Sequence, residues 1–359
     1  MAGPGVLGAQ GVAAPHDLRA RAAARLAAPV TVAGVSAALA LLAWYALAPE
    51  SAAAAAFVPL LVGMVFLGLP HGALDHLVPA RLGAAWGRRP ATLALFLAGY
   101  VGLAGFFLWL WTVAPAAAFV GFLVATVVHW GQGDVDFLER FLGRRRAGPG
   151  GHVAAVVLRG ALPVAVPVLV QTEVAEGLFA AAAVATGAVA GGGLDLATPA
   201  VSWGLGIAFI GLAGVYLAGL GRAWPGWSGR AADVGELLLL VALFAWVPAY
   251  LAIGTYFIAW HSLRHLARLL LLRQADARAI ASGDLRGPVL RLTRDLIPTT
   301  LLALAFLAAL TSWSGPRVDG VEGFVALYLV WISALTMPHL ALVAWMDGAT
   351  TRRAVGGRS

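Results

Sequence analysis

Between Ser51 and Pro70 the chain carries no charged residue, and stretches of the same kind recur along most of its length. A helix crosses the hydrocarbon core of a bilayer with about 20 consecutive apolar residues. In order, the candidate spans are 29–48, 52–70, 91–113, 116–137, 153–170, 201–220, 234–248, 250–272, 296–310 and 323–345. The whole chain is 61% hydrophobic and 11% charged, whereas soluble domains carry nearer a quarter charged residues. Backbone groups at membrane depth must be satisfied internally, which leaves helices or a closed barrel. Short alternating strands are not visible, so the sequence predicts an all-α, polytopic transmembrane helical bundle of about ten spans.

The arginines set the expected topology. All 24 basic residues are Arg. The stretch 173–193 is Ala/Gly-rich and ends in three glycines. Counted as non-spanning, it leaves ten crossings. Arg81, Arg88 and Arg89, the run 140–146, Arg222, Arg230, the segment 273–294 and both tails then share the cytoplasmic face. Only Arg317 lies opposite. A multi-pass cell (inner or plasma) membrane protein with both termini cytoplasmic is the expectation. Residues 1–28 read as a disordered tail, 29–346 as one transmembrane catalytic domain, and 347–359 as a basic tail. The net charge of +7 is assigned to these loops, and no nucleic-acid partner is expected.

Six of the eight histidines fall in four places inside or beside apolar segments. These are Gly68-Leu69-Pro70-His71-Gly72-Ala73-Leu74-Asp75-His76, His129-Trp130-Gly131-Gln132-Gly133-Asp134, Trp260-His261-Ser262-Leu263-Arg264-His265 and Met337-Pro338-His339. Polar groups at this depth are costly and usually functional. On the ten-span topology the four places share one slab in the cytoplasmic half of the membrane. His261 and His265, four apart, lie a turn apart on one helical face, a spacing that can chelate one ion. Arg264 between them would point away, toward the headgroups or the helix's loop end. His71 and His129 could each add an imidazole. His76 follows His71 by five, about 140° round a continuous helix, so only one of the two is expected to be a ligand. Asp75 is placed to hold a ligand ring nitrogen. Asp134 and His339 are candidates for the same supporting role, and Asp136 reads as a solvated helix end. His16 and His152 are expected in solvent. Trp130, Trp260, Tyr256 and Phe257 are candidate walls for an apolar substrate.

With no cysteine, iron–sulfur and thiolate sites are excluded. Neutral imidazoles suit iron, copper, nickel or zinc, and the spacing does not choose among them.

At these residues the chain resembles the Brp/Blh family of membrane-bound β-carotene 15,15′-dioxygenases. The four motifs occur in the family's order and cover about Phe57 to Ala344. The resemblance implies an Fe(2+) enzyme that cleaves the central double bond of β-carotene with O2, giving two all-trans-retinal. It implies the metal ligands His71, His129, His261 and His265. A microbial rhodopsin is the implied downstream user of retinal. The rival reading is a membrane transporter or channel with a His-lined metal or proton pathway, against which stands the lack of an internal repeat. A di-iron desaturase would need more histidine boxes than the single HxxxH here. A b-type haem protein would need facing histidine pairs.

Overall fold

In the computed structural model the described residues are 15–63, 66, 72, 74–188, 194–314 and 320–356. Among them there is no strand. The helices are α1 (Pro15–Leu47), α2 (Pro49–Ala54), α3 (Val58–Gly63), α4 (Val78–Arg81), α5 (Pro90–Val113), α6 (Pro115–Phe141), α7 (Gly148–Val170) and α8 (Thr172–Thr186). They continue with α9 (Pro199–Ala223), α10 (Trp227–Trp246), α11 (Ala249–Tyr256), α12 (Leu263–Leu270), α13 (Gln274–Ser282), α14 (Arg286–Ser314) and α15 (Gly320–Gly356). Prolines open α5, α6 and α9, where the missing N–H costs nothing. Gly187 and Gly283 end α8 and α13 in the left-handed conformation, φ 66° and 101°.

Among the described residues, six helices are long and apolar enough to cross a membrane, over Leu18–Leu47, Pro90–Val113, Pro115–Phe141, Gly148–Val170, Pro199–Ala223 and Gly320–Gly348. Large apolar side chains point outward from them, as in Leu95, Trp203 and Ile210, which suits a lipid surround. The protein is a helical membrane protein.

The elements differ from expectation in three places. The expected tail 1–28 is helical from Pro15. Ala22, Ala23, Leu26 and Ala27 are buried and pack with Ala277 and Ile280 of α13, which orders that turn of α1. The expected span 52–70 begins as two short helices, α2 and α3, with Pro59 in the first turn of α3. Its remainder, with His71, lies largely outside the described residues. The basic tail from 347 starts as a continuation of α15, and Asp347 there pairs with Arg268.

Lipid tails are as apolar as leucine, so helices in a bilayer associate through close packing and polar contacts. The α6–α7 crossing shows both. A Cβ on Gly131 would strike the Val156 carbonyl of α7, and one on Gly160 would strike the Val127 carbonyl of α6. Glycine at these two positions lets the backbones touch. α6 is the hub of the bundle. Val135 and Leu138 pack with α7, α9 and α10, Phe137 and Phe141 pack with α1 and α13, and Phe119 and Phe122 pack with α5, α8 and α15. Trp111 of α5, fully buried, donates to Ser333 Oγ of α15 at 2.8 Å.

Candidate active site

Four imidazoles from three parts of the bundle meet beside α6. His129 lies on α6. His261 lies in a π-helical turn (Phe257–Ser262) between α11 and α12, and His265 lies on α12. His339 follows Pro338 within α15. A π turn inside a helix often marks a functional position. Ring centres are 5.0 Å apart for His129–His261, 6.3 Å for His129–His265, 4.8 Å for His129–His339, 6.4 Å for His261–His265 and 5.6 Å for His265–His339. All four side chains are buried.

These spacings can be compared with those of rings around one ion. A nitrogen at about 2.1 Å puts a ring centre roughly 3.2 Å from the metal. Two such rings then stand about 4.5 to 6.4 Å apart for ligand angles of about 90° to 180°. Each separation lies in that interval taken singly, but those among His129, His261 and His265 would together need angles of about 103°, 160° and 180°, more than a full turn, so these three rings do not surround one centre at that distance. The donor set, all imidazole, is a good one for a first-row transition metal. In this packing, among the described residues, no three donor atoms converge on a single point. His71, expected as a ligand, is outside the described residues.

Asp75 supports the cluster through His339. Its carboxylate accepts from His339 Nδ1 at 2.8 and 3.0 Å, across 264 positions of sequence. That bond leaves the lone pair of a neutral His339 ring on Nε2. Tyr100 of α5 donates to the same carboxylate at 2.9 Å. His339 thus stands among the rings, whereas the sequence suggests it only as a supporting group. His76 lies beside Asp75 on the wall of the adjoining cavity.

Asp134 faces away from the imidazoles into a buried ionic network. It accepts from Trp260 Nε1 at 3.0 Å and pairs with Arg159 and Arg264. Arg159, with no exposed surface, also reaches Asp233 at 2.5 Å, Glu236 at 3.1 Å and the Tyr216 hydroxyl at 3.1 Å. Arg264 reaches Glu236 at 3.0 Å and lies over the Trp260 ring at 4.3 Å. The expectation that Arg264 points to the headgroups is corrected here. Three buried carboxylates on α6 and α10 need cations more than a headgroup does. Asp136 is likewise paired, with Arg140 at 2.5 Å and Arg268 at 2.7 Å, so it is no solvated helix end. His152, expected in solvent, is partly covered and bonds Glu139 at 2.9 Å. The sequence reading missed Arg159, Asp233 and Glu236. Arg159 is a lone charge inside the apolar run 153–170, and that was the available signal.

A cavity of about 380 Å³ adjoins the imidazoles. His129, His339, Asp75, Thr126 and Tyr100 give it one polar region, and the rest of its wall is almost wholly apolar. A large apolar pocket with a few convergent polar groups is the usual form of a small-molecule site. Trp130 and Phe257 line it, as do Phe119 and Phe122. Trp260 and Tyr256 do not. Trp260 covers the ionic network, and Tyr256 packs between Phe244 and Trp130.

The β-carotene 15,15′-dioxygenase family profile matches residues 62–347. A probable β-carotene 15,15′-dioxygenase Blh of Halobacterium salinarum is 36% identical over 303 residues, covering 82% of this chain and 85% of that one. A probable β-carotene 15,15′-dioxygenase Brp of the same species is 32% identical over 309 residues, covering 80% and 82%. A β-carotene 15,15′-dioxygenase of uncultured marine bacterium 66A03 is 37% identical over 73 residues, 20% of this chain and 26% of that one. No solved structure matches the chain.

Proposed function

Because this chain belongs to the β-carotene 15,15′-dioxygenase family, we propose that it cleaves the central 15,15′ double bond of β-carotene in the cavity beside His129 and His339, giving two molecules of retinal. The observation that carries this reading is the junction of a buried imidazole cluster with a long apolar cavity. An uncharged polyene needs the cavity, and its oxidation needs the cluster.

The metal would be iron(II), held by imidazoles from His129, His261 and His265 together with His71 and His339. When bound, iron supplies the binding and activation of O2. The protein side chains do the rest. The apolar wall takes the polyene out of the lipid and keeps water from it. Trp130 and Phe257 line the cavity next to the cluster. Asp75 fixes the tautomer and tilt of His339, and Tyr100 fixes Asp75. The ionic network fixes the helix that bears His261 and His265, because Arg264 between them is tied to α6 and α10. None of these groups needs to carry a proton in the reaction.

Ten crossings, with both termini on the cytoplasmic face of the plasma membrane, are the topology we favour. Two features support it. The arginines then gather on one face. At 15 residues, α8 is about 22 Å long, too short for a hydrocarbon core of about 30 Å. Retinal made in this membrane would be available to a microbial rhodopsin.

Expression in a β-carotene-producing bacterium tests the proposal. The expected result is loss of orange pigment and formation of retinal. Unchanged β-carotene in cells holding folded, iron-loaded protein would refute it.

A further inference from the structure

Three parts of the bundle deliver the imidazoles, and their position along one another sets where the ring nitrogens sit. A slide of one residue moves a ring by about 1.5 Å. Ligand distances at a metal tolerate only about 0.2 Å. Apolar contact is non-directional and resists such a slide weakly. It also draws α12 and α15 into different groups. Ala267, Leu269 and Leu270 of α12 pack with α1, α13 and Phe137 of α6. Leu342, Val343 and Met346 of α15 pack with Val78 of α4 and Phe96 of α5, and Leu272, just past α12, touches this second group. Directional polar contacts are the means left to fix the register.

Arg268 makes such a contact. It is buried on α12 and pairs with Asp136 of α6 at 2.7 Å and with Asp347 of α15. Arg140 of α6 closes a ring of four charges, 2.5 Å from Asp136 and 3.7 Å from Asp347. Two cations face two carboxylates, so the ring balances. Its members stand at matching positions. Asp136 follows His129 by seven residues, Arg268 follows His261 by seven, and Asp347 follows His339 by eight. On each helix that is about two turns, roughly 10–12 Å past the imidazole. The three helices therefore run side by side in one direction here, with the rings in one layer and the charges in the next. Arg264, one turn before Arg268, is tied to α6 and α10. Arg268 extends the tie to α15.

We propose that Arg268 is a positioning residue for the metal centre. By joining α6, α12 and α15 two turns beyond the cluster, it holds His129, His261, His265 and His339 in register. This assignment rests on the reading of the cluster as a metal site.

Cobalt(II) titration of metal-depleted, purified protein tests it, with the visible band of bound cobalt reporting the ligand geometry. Arg268→Met removes the shared cation. It should weaken cobalt binding about tenfold or more and change the band at saturation. Asp276→Asn is the control for lost stability alone. It breaks the pair of buried Asp276 with Arg291, 2.7 Å apart, between α13 and α14, two helices that bear no histidine. There the Tm should fall while cobalt affinity stays within about twofold of wild type and the band is unchanged. If Arg268→Met does not fold, Asp347→Asn, which loosens α15 alone, is read by the same criterion. A folded variant with wild-type cobalt affinity, or with an unchanged band, would overturn the proposal. So would equal changes in Asp276→Asn. A folded wild type that binds no cobalt would instead overturn the metal reading of the cluster, and the role of Arg268 with it.

Discussion

Replacing Arg159 with methionine tests how the cluster is held in place. Its guanidinium contacts Asp134, Asp233 and Glu236, and it has no exposed surface. In this network Arg144, Arg159 and Arg264 face those same three carboxylates, so the charges balance. Methionine keeps much of the volume and leaves two cations for three buried carboxylates. Breaking a buried ion pair on one side costs about 3–5 kcal/mol, because the partner stays buried and uncompensated. For a chain of this size that corresponds to a fall in Tm on the order of 4–7 °C. The assay is thermal unfolding of detergent-solubilised protein, with Asp233→Asn and the double variant completing a cycle. The double variant should recover part of the loss, with a coupling of about 1–3 kcal/mol. Arg159→Lys should recover little, since one ammonium cannot span three carboxylates. A Tm shift of Arg159→Met below about 2 °C, or strict additivity in the cycle, would refute the reasoning.

Asp75→Asn should weaken iron binding about 10- to 100-fold without unfolding the protein, since the amide can present a donor to His339 Nδ1; iron titration of the purified variant measures it. Gly160→Ala should cost about 3 kcal/mol or more, because its Cβ meets the Val127 carbonyl of α6 and the α6–α7 crossing must open. Size-exclusion profile and Tm in detergent report that loss. Gly150→Ala, where a Cβ meets nothing, should leave both unchanged.

Much of the fold was legible in composition and run length. Apolar segments with few or no charges gave long helices at α5, α6, α7 and α9 close to their expected bounds, and at α15, which runs on to Gly356, because in lipid little but a helix satisfies the backbone. The N-terminal turn of α1 was not legible. Its Ala and Arg composition resembles a tail, and only the packing of Ala22 and Leu26 on α13 orders it. The structure brings together three of the histidines that the motifs single out, His129, His261 and His265. The tie of His339 to Asp75 was not legible, because the two lie far apart in sequence. The ionic network was missed for the same reason. Asp134, Arg159, Asp233, Glu236 and Arg264 sit on four different helices, and each alone reads as a helix end or a stray charge.

Iron content per chain, measured by atomic spectrometry on purified wild type, His129→Ala and His152→Ala, bears most directly on the imidazole cluster. His129 has ring contacts with His261, His265 and His339, whereas His152 bonds only Glu139 among the contacts described above. The expected result is about one iron per chain in the wild type and in His152→Ala, and little or none in folded His129→Ala. Undiminished iron in folded His129→Ala would contradict the assignment of this cluster as the metal centre.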